Sequence, residues 1–115
     1  ECIAAWCEGE EWCPVTCTLE LIDNKWHPVI LHRLLRHGEL GFNDLSREIG
    51  DVTNKVLSNS LDDLEQKGLV HREIVREKPV RVSYSLTERG ASLETVIDAL
   101  GTWGERHLRS TDERP

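Results

Sequence analysis

Three leucines organise the middle of the chain. In TNKVLSNSLDDLEQKG, residues 53–68, Leu57, Leu61 and Leu64 recur at i, i+4 and i+7. At about 100° per residue they form one narrow apolar stripe. Thr53, a capping-type residue, opens the stretch and Gly68 ends it, which predicts a helix with one buried face. Lys55, Ser58, Asn59, Asp62 and Gln66 fall on the opposite face. Its leading turns carry short hydrogen-bonding side chains and a cation, with carboxylates only from Asp62 onward. A helix that points its first turns into a DNA major groove needs this arrangement, because amides and hydroxyls reach base edges while a carboxylate would meet phosphate. An ordinary amphipathic surface helix shares the pattern, so the flanks decide.

On the C-terminal side, residues 70–75 and 80–86 are rich in β-branched residues. Val80, Val82, Tyr84 and Leu86 alternate with Arg81, Ser83 and Ser85, the period of a strand. The intervening REKP predicts a turn, with Pro79 at a strand start where its missing N–H is tolerated. On the N-terminal side a second helical pattern, FNDLSREI at 42–49, is separated from the first by Gly50, Asp51 and Val52. Helix, tight turn, helix and a basic-tipped hairpin make a winged helix-turn-helix, mainly α with a small β-hairpin wing. Winged domains also carry protein contacts, so the architecture favours DNA without requiring it.

The rest of the chain supplies support. Residues 15–22 predict a short helix with Val15, Leu19 and Ile22 on one side. Asp23-Asn24 breaks it, and Asn24 can cap KWHPVILHRLLRHG, where Pro28 is tolerated in the first turn. Trp26, Val29, Ile30 and Leu34 are expected in the core, and Gly38 ends the helix. His27, His32 and His37 lie five apart, off the i, i+4 spacing of a helical metal pair. They read as solvated or capping, and no metal site is assigned. The last helix is expected from Thr87, its cap, to about Arg109. Its apolar positions cover more surface than a core this small requires. Packing on its own domain is one reading; the preferred one is that, with the N-terminal arm, Leu93, Val96, Leu100 and Trp103 form a dimer interface. Residues 110–115 are polar and expected to be disordered.

At 115 residues the chain makes one domain: an arm at 1–14, the winged domain at 15–109 and the tail. No apolar run approaches the roughly 20 residues that span a bilayer and no signal peptide is visible, so a cytoplasmic protein is expected. The net charge of −7 is unusual for a DNA binder, but it is unevenly spread. Residues 1–46 hold three Lys/Arg against eight Asp/Glu, whereas 47–82, the reading head, hold seven against seven. An enzyme is excluded: there is no glycine-rich phosphate loop, no nucleophile elbow and no metal-hydrolase pair, and no cofactor is expected.

All four cysteines lie in ECIAAWCEGEEWCPVTC, spaced C-x4-C-x5-C-x3-C. Clustered thiols in a cytosolic chain point to metal or redox chemistry rather than a disulfide scaffold. Structural zinc favours C-x2–4-C pairs, and only Cys13 and Cys17 comply. A thiol switch is the better reading, centred on Cys13, which starts an element just before Pro14; peptide N–H groups at a helix start favour thiolate. Cys7 or a cysteine of the other subunit is the expected resolving partner, because an i, i+4 pair within a helix, Cys13 with Cys17, is poorly placed to close. Inert small residues in an arm remain the alternative.

Taken in order, CPV, LELIDNKW, ILHRLL, GFNDL, KVLSNSLDDLEQKGLVHREI, KPVRVSYSLTERG and LETVIDALGTWG resemble the motifs of the HxlR family of MarR-like winged-helix regulators, over roughly four fifths of the chain. The resemblance implies a homodimer on inverted-repeat operator DNA and a sensor cysteine in the CPV motif, here Cys13, with a small oxidant or electrophile as effector. It implies that the helix beginning at Thr53 reads DNA, and the exposed positions of its leading turns, Thr53, Asn54, Lys55, Ser58 and Asn59, are the residues expected to do so. The hairpin tip, with Lys78 and Arg81, would meet the minor groove or phosphates. Two departures stand out: Gly41 precedes Phe42 where the family often has Arg, and Asp23-Asn24 stands where it often has Gly-Gly. The competing function is a protein-interaction winged helix with a metal-binding cysteine arm and no operator.

Overall fold

A computed structural model describes residues 13–108. Cys2, Cys7 and the rest of residues 1–12 lie outside them, as do residues 109–115. The described chain runs α1 (Pro14–Leu21), α2 (Trp26–His37), β1 (Glu39–Gly41), α3 (Phe42–Ile49), α4 (Asn54–Gln66), β2 (Val70–Glu77), β3 (Val80–Leu86), α5 (Glu88–Ala91) and α6 (Glu94–His107). Helices α1 to α4 and the hairpin stand within a residue or two of the positions expected from the hydrophobic pattern.

Helix α2 is the centre of the packing, with α3, α4, α6 and the sheet against it. Its Ile30, Leu31 and Leu34 are fully enclosed, as are Leu45 of α3 and Leu57, Leu61 and Leu64 of α4. Each such side chain stabilises the fold by roughly 1.5–3 kcal/mol relative to exposure. Trp26 and Val29 are only half-buried. The N-cap residue of α2 is Lys25, and Asn24 Oδ1, one residue earlier, accepts from the Trp26 N–H at 2.7 Å.

Two features of the backbone fix the reading head. Gly50 ends α3 with φ +93°, a positive-φ turn that only glycine enters without strain, four residues before α4 begins. Gly90 lets α5 dock on the start of β2, because a Cβ there would lie 2.0 Å from the Leu69 carbonyl oxygen.

One strand is added and two expectations are corrected. Glu39–Gly41 forms a strand too short to show a period, and it pairs antiparallel with β3, giving the order β1-β3-β2. Ser83 therefore lies mid-sheet and buried, bonding the Glu39 carboxylate, while Val80 at the hairpin tip is 67% exposed. The last helix is two helices: Thr87 Oγ1 accepts from the Gly90 N–H at 3.0 Å and caps α5, and the chain turns at Ser92-Leu93 before α6. His27 is neither solvated nor a cap; it is 1% exposed beneath α4. The five-residue spacing of the histidines rotates His27 away from His32 and His37, so they do not share one environment.

Candidate nucleic-acid interface

Helix α4 begins at a working cap: Thr53 Oγ1 accepts from the Val56 N–H at 3.2 Å. Replacing such a cap costs about 1 kcal/mol. Beyond it Asn54, Lys55, Ser58 and Asn59 are all exposed, and no acidic residue stands in the first turn. The stripe of Leu57, Leu61 and Leu64 faces inward, so packing turns these polar side chains out. Val56, 37% exposed beside them, was not singled out by sequence. Its apolar side chain would match a thymine methyl. The signal was its position one turn past the cap but off the leucine stripe.

The wing projects residues 71–81 into solvent. Lys78 sits in the tip turn, and Arg81 on β3 stands opposite Arg76 on β2, next to a bulge between Ile74 and Arg76. Like charges directly opposite across a ladder repel. Sequence reading placed Lys78 and Arg81 at the tip but passed over Arg76, because only the bulged register brings it to Arg81. Between the wing and α3 lies a groove of about 270 Å³, lined by Asn43, Arg47 and Arg81 among others, and Arg47 is paired with Asp44. At the wing's base Tyr84 is buried opposite Arg72; burial raises its pKa, against a hydrogen bond to Arg72 that lowers it.

A second exposed surface lies away from α4. Val15 and Leu19 of α1 and Leu100 and Trp103 of α6 are 46%, 56%, 53% and 57% exposed. Val15 and Leu19 share with Val96 and Leu100 an apolar cleft of about 300 Å³. Of the four residues expected at an interface, Leu93 instead lies in the protomer's own core and Val96 packs half-buried against it. Cys13 is the N-cap residue of α1, extended at φ −136°, and is disulfide-bonded; Cys17, one turn on, is free.

A family model described as HxlR-like helix-turn-helix matches residues 21–112. The chain belongs to this family. Among its relatives is the uncharacterised HTH-type transcriptional regulator YdeP of Bacillus subtilis, 38% identical over 90% of this chain and 80% of that protein. Among solved structures, the redox regulator HypR in its reduced form has a TM-score of 0.77 at 35% identity, covering 84% of this chain and 96% of that one. The reduced form of the transcriptional regulator YodB from Bacillus subtilis has a TM-score of 0.71 at 31% identity, covering 84% of this chain and 94% of that one. Membership makes this chain a helix-turn-helix transcriptional regulator rather than an enzyme. Among the described residues no helix is long and apolar enough to cross a membrane.

Proposed function

We propose that the chain is a homodimeric, sequence-specific regulator that binds inverted-repeat operator DNA and responds to thiol oxidation at Cys13. The observation that carries it is the surface of α4. Asn54, Lys55, Ser58 and Asn59 stand outward in the first turns while the leucines behind them are fully buried. Short donors over a rigid helix N-terminus fit base edges in a major groove. Lys78, Arg81 and Arg76 would neutralise phosphates on the flank, and an anion between Arg76 and Arg81 would relieve their repulsion. One reading helix has a small footprint, whereas a two-fold dimer reads half-sites about 34–36 Å apart. The exposed apolar side chains of α1 and α6 suit that dimer, and this reading places the protein in the cytoplasm.

Thiol response is supported by the place of Cys13 at the start of α1 and by its disulfide. It is supported too by likeness to HypR, solved in reduced and oxidised forms, and to YodB, solved reduced and diamide-treated. Because α1 borders the apolar surface, oxidation there would change how two reading heads are held in register. Cys7, the proposed resolving partner, lies outside the described residues.

A gel shift on the DNA upstream of the chain's own gene tests both parts. Reduced protein should bind that fragment in preference to random DNA. Diamide should abolish binding reversibly in wild type and leave Cys13→Ser unaffected. Equal binding to all DNA would remove the operator, and identical responses of the two proteins would remove the switch.

A further inference from the structure

Beneath the C-terminal half of α4 lies a polar cluster that the DNA-reading surface does not use. Asp23 comes from the α1–α2 turn, His27 from the first turn of α2, Asp63 from α4 and Lys67 from its C-cap. Both ring nitrogens of His27 are buried without a hydrogen-bond partner, although the ring lies among carboxylates. Nε2 is 3.3 Å from Asp63 Oδ2 and Nδ1 is 3.7 Å from Asp23 Oδ1. One ligand atom from each of the three residues falls within 4.8 Å of the others.

We propose that Asp23, His27 and Asp63 bind one divalent transition-metal ion of the zinc type, taken up in exchange for the Lys67 ammonium. The ligand set is one imidazole nitrogen and two carboxylate oxygens, which suits borderline ions over magnesium or calcium. The 3.3 Å between His27 Nε2 and Asp63 Oδ2 is close to the ligand–ligand edge of a tetrahedral ion with bonds of about 2.0–2.1 Å. Asp23, exposed on a turn, can close the remaining distance by rotating its side chain.

Charge balance favours the exchange. Lys67 Nζ sits 2.9 Å from Asp63 Oδ2 and 3.4 Å from Asp23 Oδ1, the position of a shared cation. One ammonium against two carboxylates leaves a negative charge uncompensated beside the ring. A divalent ion cancels both. Burial pushes the His27 pKa below its ordinary value; Asp63 opposes this, Lys67 adds to it and Asp23 opposes it, with burial prevailing.

The exchange has a structural consequence. Lys67 Nζ also donates to the backbone oxygens of Glu20 at 2.8 Å and Leu21 at 3.4 Å, tying the end of α1 to α4. Metal uptake would release those bonds and hold the α1–α2 turn through Asp23 instead. The site stands whether or not α4 reads DNA.

The test is calorimetric titration of zinc chloride into the full chain carrying serine at all four cysteine positions, which removes competing thiolates. One zinc should bind per chain. His27→Gln and Asp63→Asn should each weaken binding by at least about tenfold, and Lys67→Met, which removes the competing cation, should tighten it by about as much. Circular dichroism checks that each variant folds; if His27→Gln does not, Lys67→Met decides. Absence of saturable one-to-one binding in the four-serine chain, or unchanged or weaker binding in Lys67→Met, would overturn the proposal.

Discussion

The α4–wing surface and the α1–α6 surface belong to elements packed around α2, and both offer side chains to solvent. The first offers amides, hydroxyls and cations on a rigid support; the second offers Val15, Leu19, Leu100 and Trp103. A polar exposed surface costs nothing in water, and so its composition is free to match a partner. An apolar one loses about 25 cal/mol for each Å² left uncovered, which makes a second copy or another protein its natural cover. The contrast assigns different partners to the two sides, and it can be broken at either.

The largest effect is expected on the apolar side. Leu100→Asp combined with Trp103→Ser should convert a dimer into a folded monomer by light scattering at micromolar concentration. Operator affinity should fall with it by about 100-fold or more, because two linked reading heads gain from effective concentration. A folded wild-type monomer that binds one half-site tightly would remove the division of labour.

On the polar side, Asn59→Ala should cost about 1–3 kcal/mol on operator DNA and little on random DNA. Equal losses on both would reassign Asn59 to a phosphate and leave specificity to its neighbours.

The two sides were not equally legible in the sequence. The leucine stripe and Thr53 announce α4 because buried apolar residues must repeat with the helix. The exposed face follows by subtraction. The α6 side was read less well, since Leu93 and Leu100 fit the same helical pattern although one lies in the core and the other in solvent. Periodicity gives a direction and not a depth. His27 shows the same limit: nothing local marks a histidine as buried when its neighbours Asp63 and Lys67 lie more than thirty residues away in sequence. Arg76 was missed because register depends on a bulge, and β1 because three residues carry no period.

Smaller effects are expected at the wing. Arg81→Ala should weaken binding to every sequence and lower the salt slope by about 0.9, and Arg76→Ala should do the same if both cations meet phosphate. Loss of affinity in Arg81→Ala with an unchanged slope would make the wing a packing element. A second, independent loss of slope in Arg76→Ala would show that the bulged register, and not the tip turn alone, sets the contact.

The smallest effect separates the two sides by acidity. His27 lies under α4. His32 lies in a groove beside α6, with Ile97, Asp98 and Leu100. Burial lowers the pKa of both from the ordinary 6.5; at His32 the adjacent Arg33 and Arg36 add to burial and Asp98 opposes it. Arg33 Nη1 also lies 2.8 Å from His32 Nδ1, a bond the ring accepts when that nitrogen is unprotonated. Since both folded values lie below the unfolded one, the unfolded chain binds more protons between them. Stability is therefore complete above about pH 6.5 and is lost as the pH falls toward the folded values. Thermal unfolding followed from pH 7.5 to about 5.5 should show Tm falling, and His27→Gln and His32→Gln should each flatten part of the fall. The apolar side adds a distinguishing term: if dimerisation covers the groove beside α6, the His32 part should steepen with protein concentration while the His27 part does not. A fall that depends on concentration through His27 alone would place the second copy against α4 instead, and the assignment of partners to the two sides would have to be reversed.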